Sequence, residues 1–152
     1  MNKYDKNLKD IKLKDLFFVI LYGGLTSILL GLIIGFLDYY ITSLINFSFM
    51  MLLFFFSAQF VGNLVRKQYI RPHIVYTIIT GLFLVLQVVI ILGVKFALLA
   101  LPGNIMVIFN VNLYFYYVYM FFYSLVTHFS FDYLLMLLVI VVGIYVGIRR
   151  TY

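Results

Sequence analysis

LFFVILYGGLTSILLGLIIGFL, residues Leu16–Leu37, is the stretch on which the reading of the whole chain turns. None of its twenty-two residues is charged, and only Tyr22, Thr26 and Ser27 carry polar side chains. At ~1.5 Å of rise per residue a helix of this length reaches about 33 Å, enough to cross the ~30 Å hydrocarbon core of a bilayer. Gly23, Ser27, Gly31 and Gly35 recur at every fourth position and form one narrow groove along one helix face. In lipid such a groove lets a neighbouring helix come close.

Composition points the same way. Of the 152 residues 66% are hydrophobic and 11% are charged, against ~25% charged in an ordinary soluble domain. So few charges cannot cover the surface of a soluble chain of this size. The expected fold is an all-α integral membrane protein. A cytoplasmic basic juxtamembrane segment, residues 1–15, precedes a single polytopic domain, residues 16–152. Leu16–Leu37 exceeds the ~7–15 residues of a signal-peptide core and no A-x-A-like site follows it, so a retained helix is expected. Cysteine is absent, which removes disulfides, thiolate metal sites and cysteine nucleophiles. Phe and Tyr are abundant, but they share A/T-rich codons with Ile, Lys and Asn, so their number alone carries no argument.

Four spans are expected, at about residues 16–37, 44–65, 74–95 and 131–148, with five as the alternative. Asp38–Ser43 reads as a turn after the first span. Arg66–His73 reads as a basic loop, with Pro72 at a first helical position. Lys and Arg collect in the first fifteen residues, in this loop and at Arg149-Arg150. Four spans put ten of the eleven on one side, with Lys95 as the exception, and basic residues favour the cytoplasm. Both termini are therefore expected to be cytoplasmic. Tyr114, Tyr116, Tyr117, Tyr119 and Tyr123 sit better at headgroup level than in mid-bilayer. The tract 96–127 is accordingly expected as an aromatic-rich interfacial or re-entrant helical segment, broken near Pro102-Gly103-Asn104. The amino-terminal lysines are expected to face anionic lipid, with a solvated basic tail that only fixes orientation as the alternative.

Candidate sites are few. Gly143 and Gly147 repeat the small-residue spacing in the last span, so Gly23, Ser27, Gly31, Gly35, Gly143 and Gly147 are expected to pack helices. The first and last spans would meet at Gly23/Ser27 and Gly143/Gly147, leaving Gly31 and Gly35 for a second copy or another membrane protein. Gln59, Asn63, Gln87 and Lys95 are a candidate polar lining, with Ser57 beside them; interhelical hydrogen bonding is the simpler role for such amides. Lys95 is expected to pair with Asp38 or Asp132, or to snorkel. His73, and His128 four residues before Asp132, form no metal-binding pattern. No phosphate loop, G-x-S-x-G or intramembrane carboxylate pair appears, and no cofactor is expected. The positive charge is accounted for by orientation in the membrane, so nucleic acid is not expected as a partner. The expected function is a non-enzymatic accessory, regulatory or assembly component of the cytoplasmic membrane. The alternative is a small oligomeric transporter or channel lined by Gln59, Asn63 and Gln87.

Overall fold

The computed structural model describes residues 11–127 and 131–151, with backbone only at positions 132 and 133. Most of the amino-terminal basic segment, His128 and the side chain of Asp132 therefore lie outside the described residues. The described residues are helical with no strand. Helix α1 is Leu13–Ile45, with one wide π-helical turn at Val19–Gly23 that ends on the first glycine of the Gly23-Gly24 pair. Helix α2 is Met50–Arg66, α3 is Ile74–Ala100, α4 is Val111–Thr127 and α5 is Phe131–Arg149. A 3-10 turn, Ile105–Phe109, leads into α4. Two of these helices, α1 and α3, are long and apolar enough to cross a membrane, whereas α2 and the apolar part of α5 are shorter.

Helix boundaries follow local chemistry, and three of them correct the sequence reading. Asp38–Ser43 is no turn: α1 continues to Ile45 and stops at Asn46, whose φ of 51° is the left-handed conformation that closes a helix. Asp38 does not end the helix because its charge is matched inside the protein and needs no water. Pro72 stands one residue ahead of the cap, which is His73; the His73 Nδ1 accepts from the Val75 N–H at 3.2 Å. Lys95 is not the last residue of its helix, because α3 runs one turn further, to Ala100. The chain does break at Leu101–Asn104, with Gly103 at φ 86°. Asn104 and Asn110 then start the two following elements, each side chain accepting a backbone N–H two residues on.

Helix α3 is the hub, packed against all four others. Over its apolar window 56% is buried, against 33% for α1. Helices α1 and α3 run parallel: Gly23 and Gly24 lie against Phe83, Gly31 against Ile90 and Gly35 against Val94. A Cβ at Gly35 would stand 2.7 Å from the Val94 Cβ, so this row has to be small for the two helices to meet. Helices α2 and α5 also run parallel to each other. Gly143 lies under the Phe54 ring, Gly147 against Leu84 and the Ala58 carbonyl, and Gly62 directly on the Gly147 carbonyl. The expected contact between the first and last helices is thereby replaced. The glycines of α1 seat α3, with Gly23 also against Val65 of α2, and those of α5 seat α2 and α3.

Charge is segregated along the bundle. Gly23 meets Val65, Gly81 meets Ile148 and Gly62 meets Arg150, so the start of α1, the α2–α3 loop and the end of α5 share one end. That end carries Lys12, Lys14, Arg66, Lys67, Arg71, Arg149 and Arg150. Helix α4 occupies the other half of α3, with the Tyr114 ring on Gly93 and Tyr117 stacked on Phe96 at 6.0 Å.

The glycine contacts predict a contrast. Gly62→Ala drives a methyl into the backbone carbonyl of Gly147 and should lower stability in mild detergent by about 1–3 kcal/mol. Gly24→Ala meets only the movable Phe83 ring at 3.2 Å and should leave the melting temperature almost unchanged.

Candidate functional site

Asp38, Ser48 and Lys95 form the chemically densest cluster among the described residues. Asp38 lies one turn beyond Gly35 on α1, and Lys95 directly follows Val94, Gly35's neighbour on α3, so the long lysine side chain reaches along the helix to the carboxylate. The Lys95 Nζ lies 2.6 Å from Asp38 Oδ2; the Asp38 side chain is wholly buried and that of Lys95 is 11% exposed. Ser48, in the linker between α1 and α2, completes the site. Its hydroxyl faces both carboxylate oxygens, at 2.8 and 3.0 Å, and accepts from the Lys95 Nζ at 3.0 Å. A hydroxyl has one proton to donate and lone pairs to spare, so it serves both charges at once. Thr42, one turn beyond Asp38 on α1, adds a hydroxyl that is buried without a hydrogen-bond partner.

Burying a carboxylate and an ammonium costs several kcal/mol for each ion, recovered only when the geometry is close and the remaining hydrogen bonds are made. Here the pair is in contact, its charges cancel, and Ser48 supplies the further bonds. The arrangement binds three elements to one another: α1, the α1–α2 linker and α3. Among the described residues no group of three metal-ligating side chains is present.

Of the candidate polar lining, Gln87 is fully buried at mid-helix. Its Nε2 donates to Ser57 Oγ at 2.7 Å, and Ser57 in turn donates to the Phe54 carbonyl at 2.8 Å. The Gln87 Oε1 and the Ser27 Oγ are buried without partners. Gln59 turns toward the basic end, where its Oε1 accepts from the Arg150 guanidinium at 3.3 Å. Asn63 is exposed on the outside of the bundle. The four residues therefore do not converge on a shared channel. Lys95 joins the ion pair, Gln87 ties α3 to α2, and Gln59 ties α2 to the end of α5.

A second polar knot closes the basic end. The Tyr69 hydroxyl donates to the Thr151 carbonyl, and the Thr77 and Thr151 hydroxyls are 3.1 Å apart. Tyr69 stacks on Tyr76 at 4.5 Å, and Arg66 lies over its ring while donating to its carbonyl at 2.9 Å. Burial pushes the Tyr69 phenol above its ordinary value of 10.0, partly opposed by the bond to Thr151 and by the Arg66 charge. Neither Ser48 nor this knot could be picked out of the sequence. Ser48 sits in a short linker without motif, and Thr151 lies next to the chain end, where no periodicity marks it.

No family model, no curated protein and no solved structure matches this chain.

Two predictions follow from these geometries. Asp38→Leu or Lys95→Met alone leaves one buried charge unpaired and should cost about 3–5 kcal/mol, read by thermal unfolding in mild detergent. The double substitution should cost clearly less than the sum, and strict additivity would mean that the pair does not interact. For Tyr69, the raised phenol value means that its contribution is intact below pH 10 and is lost as pH climbs through the folded-state value. Tyr69→Phe should remove one late-titrating phenol from the ultraviolet absorbance titration.

Proposed function

We propose that this chain is a four-span membrane protein of the cytoplasmic membrane, acting through helix contacts as a non-enzymatic accessory, regulatory or assembly component. In this reading α1, α2, α3 and α5 span the bilayer and α4 lies in its outer half. The basic end faces the cytoplasm, where Lys and Arg are retained and meet anionic lipid. The observation that carries the reading is where the polar groups go. Asp38, Lys95, Ser48, Gln87 and Ser57 are spent on one another between helices, while the outward faces present Leu25, Ile33, Phe56, Phe60, Leu82 and Leu138. A soluble protein with that surface would aggregate; in lipid it is the expected exterior.

The unpartnered Gln87 Oε1 and Ser27 Oγ favour a second reading, a small oligomeric transporter in which these groups meet a solute. Purified chain in liposomes distinguishes the two. The accessory reading expects tight vesicles, and flux of a defined solute that disappears on Gln87→Leu would overturn it. The architecture has its own test. The chain should resist alkaline carbonate extraction, and a carboxyl-terminal reporter should be active only in the cytoplasm.

A further inference from the structure

Helices α4 and α5 both pack on α3 but make no extensive contact with each other. The wedge between them is a cleft of about 350 Å³. Its floor is Val88 and Leu92 of α3, and its walls include Val118 and Phe121 of α4 and Ile140 and Val141 of α5. Every residue lining it is Val, Leu, Ile or Phe, with no donor or acceptor to offer. Val141 on its rim is more than half exposed, so the cleft opens sideways to whatever surrounds the bundle.

We infer that this cleft holds a single hydrocarbon chain of a membrane lipid; the inference rests on the membrane reading above. Three features select that occupant. A lining without polar atoms gives water and polar solutes nothing to bond, so they lose hydrogen bonds on entering. A helix ~10–12 Å across takes about 500 Å³ per turn, more than the cleft holds, so a helix from a second copy would lie across the mouth and leave the floor empty. A methylene takes roughly the ~30 Å³ of a water molecule in the liquid, so the space matches about a dozen methylenes in single file. The chain fills the gap that would otherwise leave α4 held to the bundle by α3 alone. Its seat ends at Leu92, one turn from Lys95.

The test uses the full chain in vesicles of phosphatidylglycerol and phosphatidylcholine, with a trace of phosphatidylcholine bearing a diazirine at mid-chain. After photolysis and mass spectrometry, label on Val118–Phe122 and Ile140–Ile144 should exceed that on the outward residues Ile33 and Leu82 about tenfold. Val141→Phe should abolish the cleft label and leave that on Ile33 unchanged. Even labelling of cleft and outward faces in the unaltered chain would overturn the site, whether or not the variant folds. So would a cleft label that persists in Val141→Phe. The chain has no cysteine, so rapid oxidative dimerisation of Val141→Cys would show a second copy at the cleft mouth and also overturn it. Label on Ile33 and Leu82 but not in the cleft rejects the chain site alone. Absence of label everywhere, with release by carbonate, rejects the membrane reading itself.

Discussion

The contact between Asp38 and Lys95 is the constraint to which the other helices are fitted. The Lys95 Nζ reaches the Asp38 carboxylate at 2.6 Å on a long, flexible stem, so the pair sets the register of the two helices rather than their separation. The separation is set by Gly31 and Gly35, which bring α1 against α3 in the two turns before Asp38. The ion pair then makes one register the only acceptable one, since sliding α3 by a turn would strand two opposite charges in an apolar interior. Packing supplies proximity here and charge supplies the address. Ser48 adds the linker to the same junction, so the start of α2 is tied to the register of α1 and α3.

From this junction the remainder of the bundle follows. With α1 fixed on α3, helix α2 packs on both of them and on α5, and the near contact of Gly62 with Gly147 lets α2 and α5 sit together. Gln87 and Ser57 join α3 to α2 at mid-height. The Tyr69–Thr151 bond and the paired threonines close the basic end. Each tie is polar and sits between helices or at their ends, which leaves an exterior rich in Leu, Ile, Val and aromatic side chains.

Much of this was legible in the sequence. Apolar runs pointed to an all-helical chain and to the break near Pro102-Gly103-Asn104. The expectation for Lys95 is pairing with Asp38 or Asp132, or snorkelling, and the structure joins it to Asp38. Other features were hidden for definite physical reasons. A charge in a sequence is weighed against water, so Asp38 looked like the end of a helix; its partner lies nearly sixty residues further on, and local reading does not see that far. Small-residue grooves say that something approaches closely, but not what. The groove of α1 accordingly seats α3 rather than α5. Gln59, Asn63, Gln87 and Lys95 looked alike as polar residues in apolar segments. Their different fates depend on which way each helix is rotated, and with hydrophobic residues on every face that rotation leaves no pattern.

The parallel pairing of α1 with α3 sets an order on biogenesis. When α1 leaves the ribosome, its Asp38 has no cation to meet until Lys95 has been made. At ~5–20 residues per second that interval is about 3–12 s. During it an unpaired carboxylate is costly to bury, so the end of α1 stays unseated. Arrival of α3 supplies the counter-charge and draws the last turns of α1 into register. The last turns of α1 therefore reach their packed position only after α3 has been made.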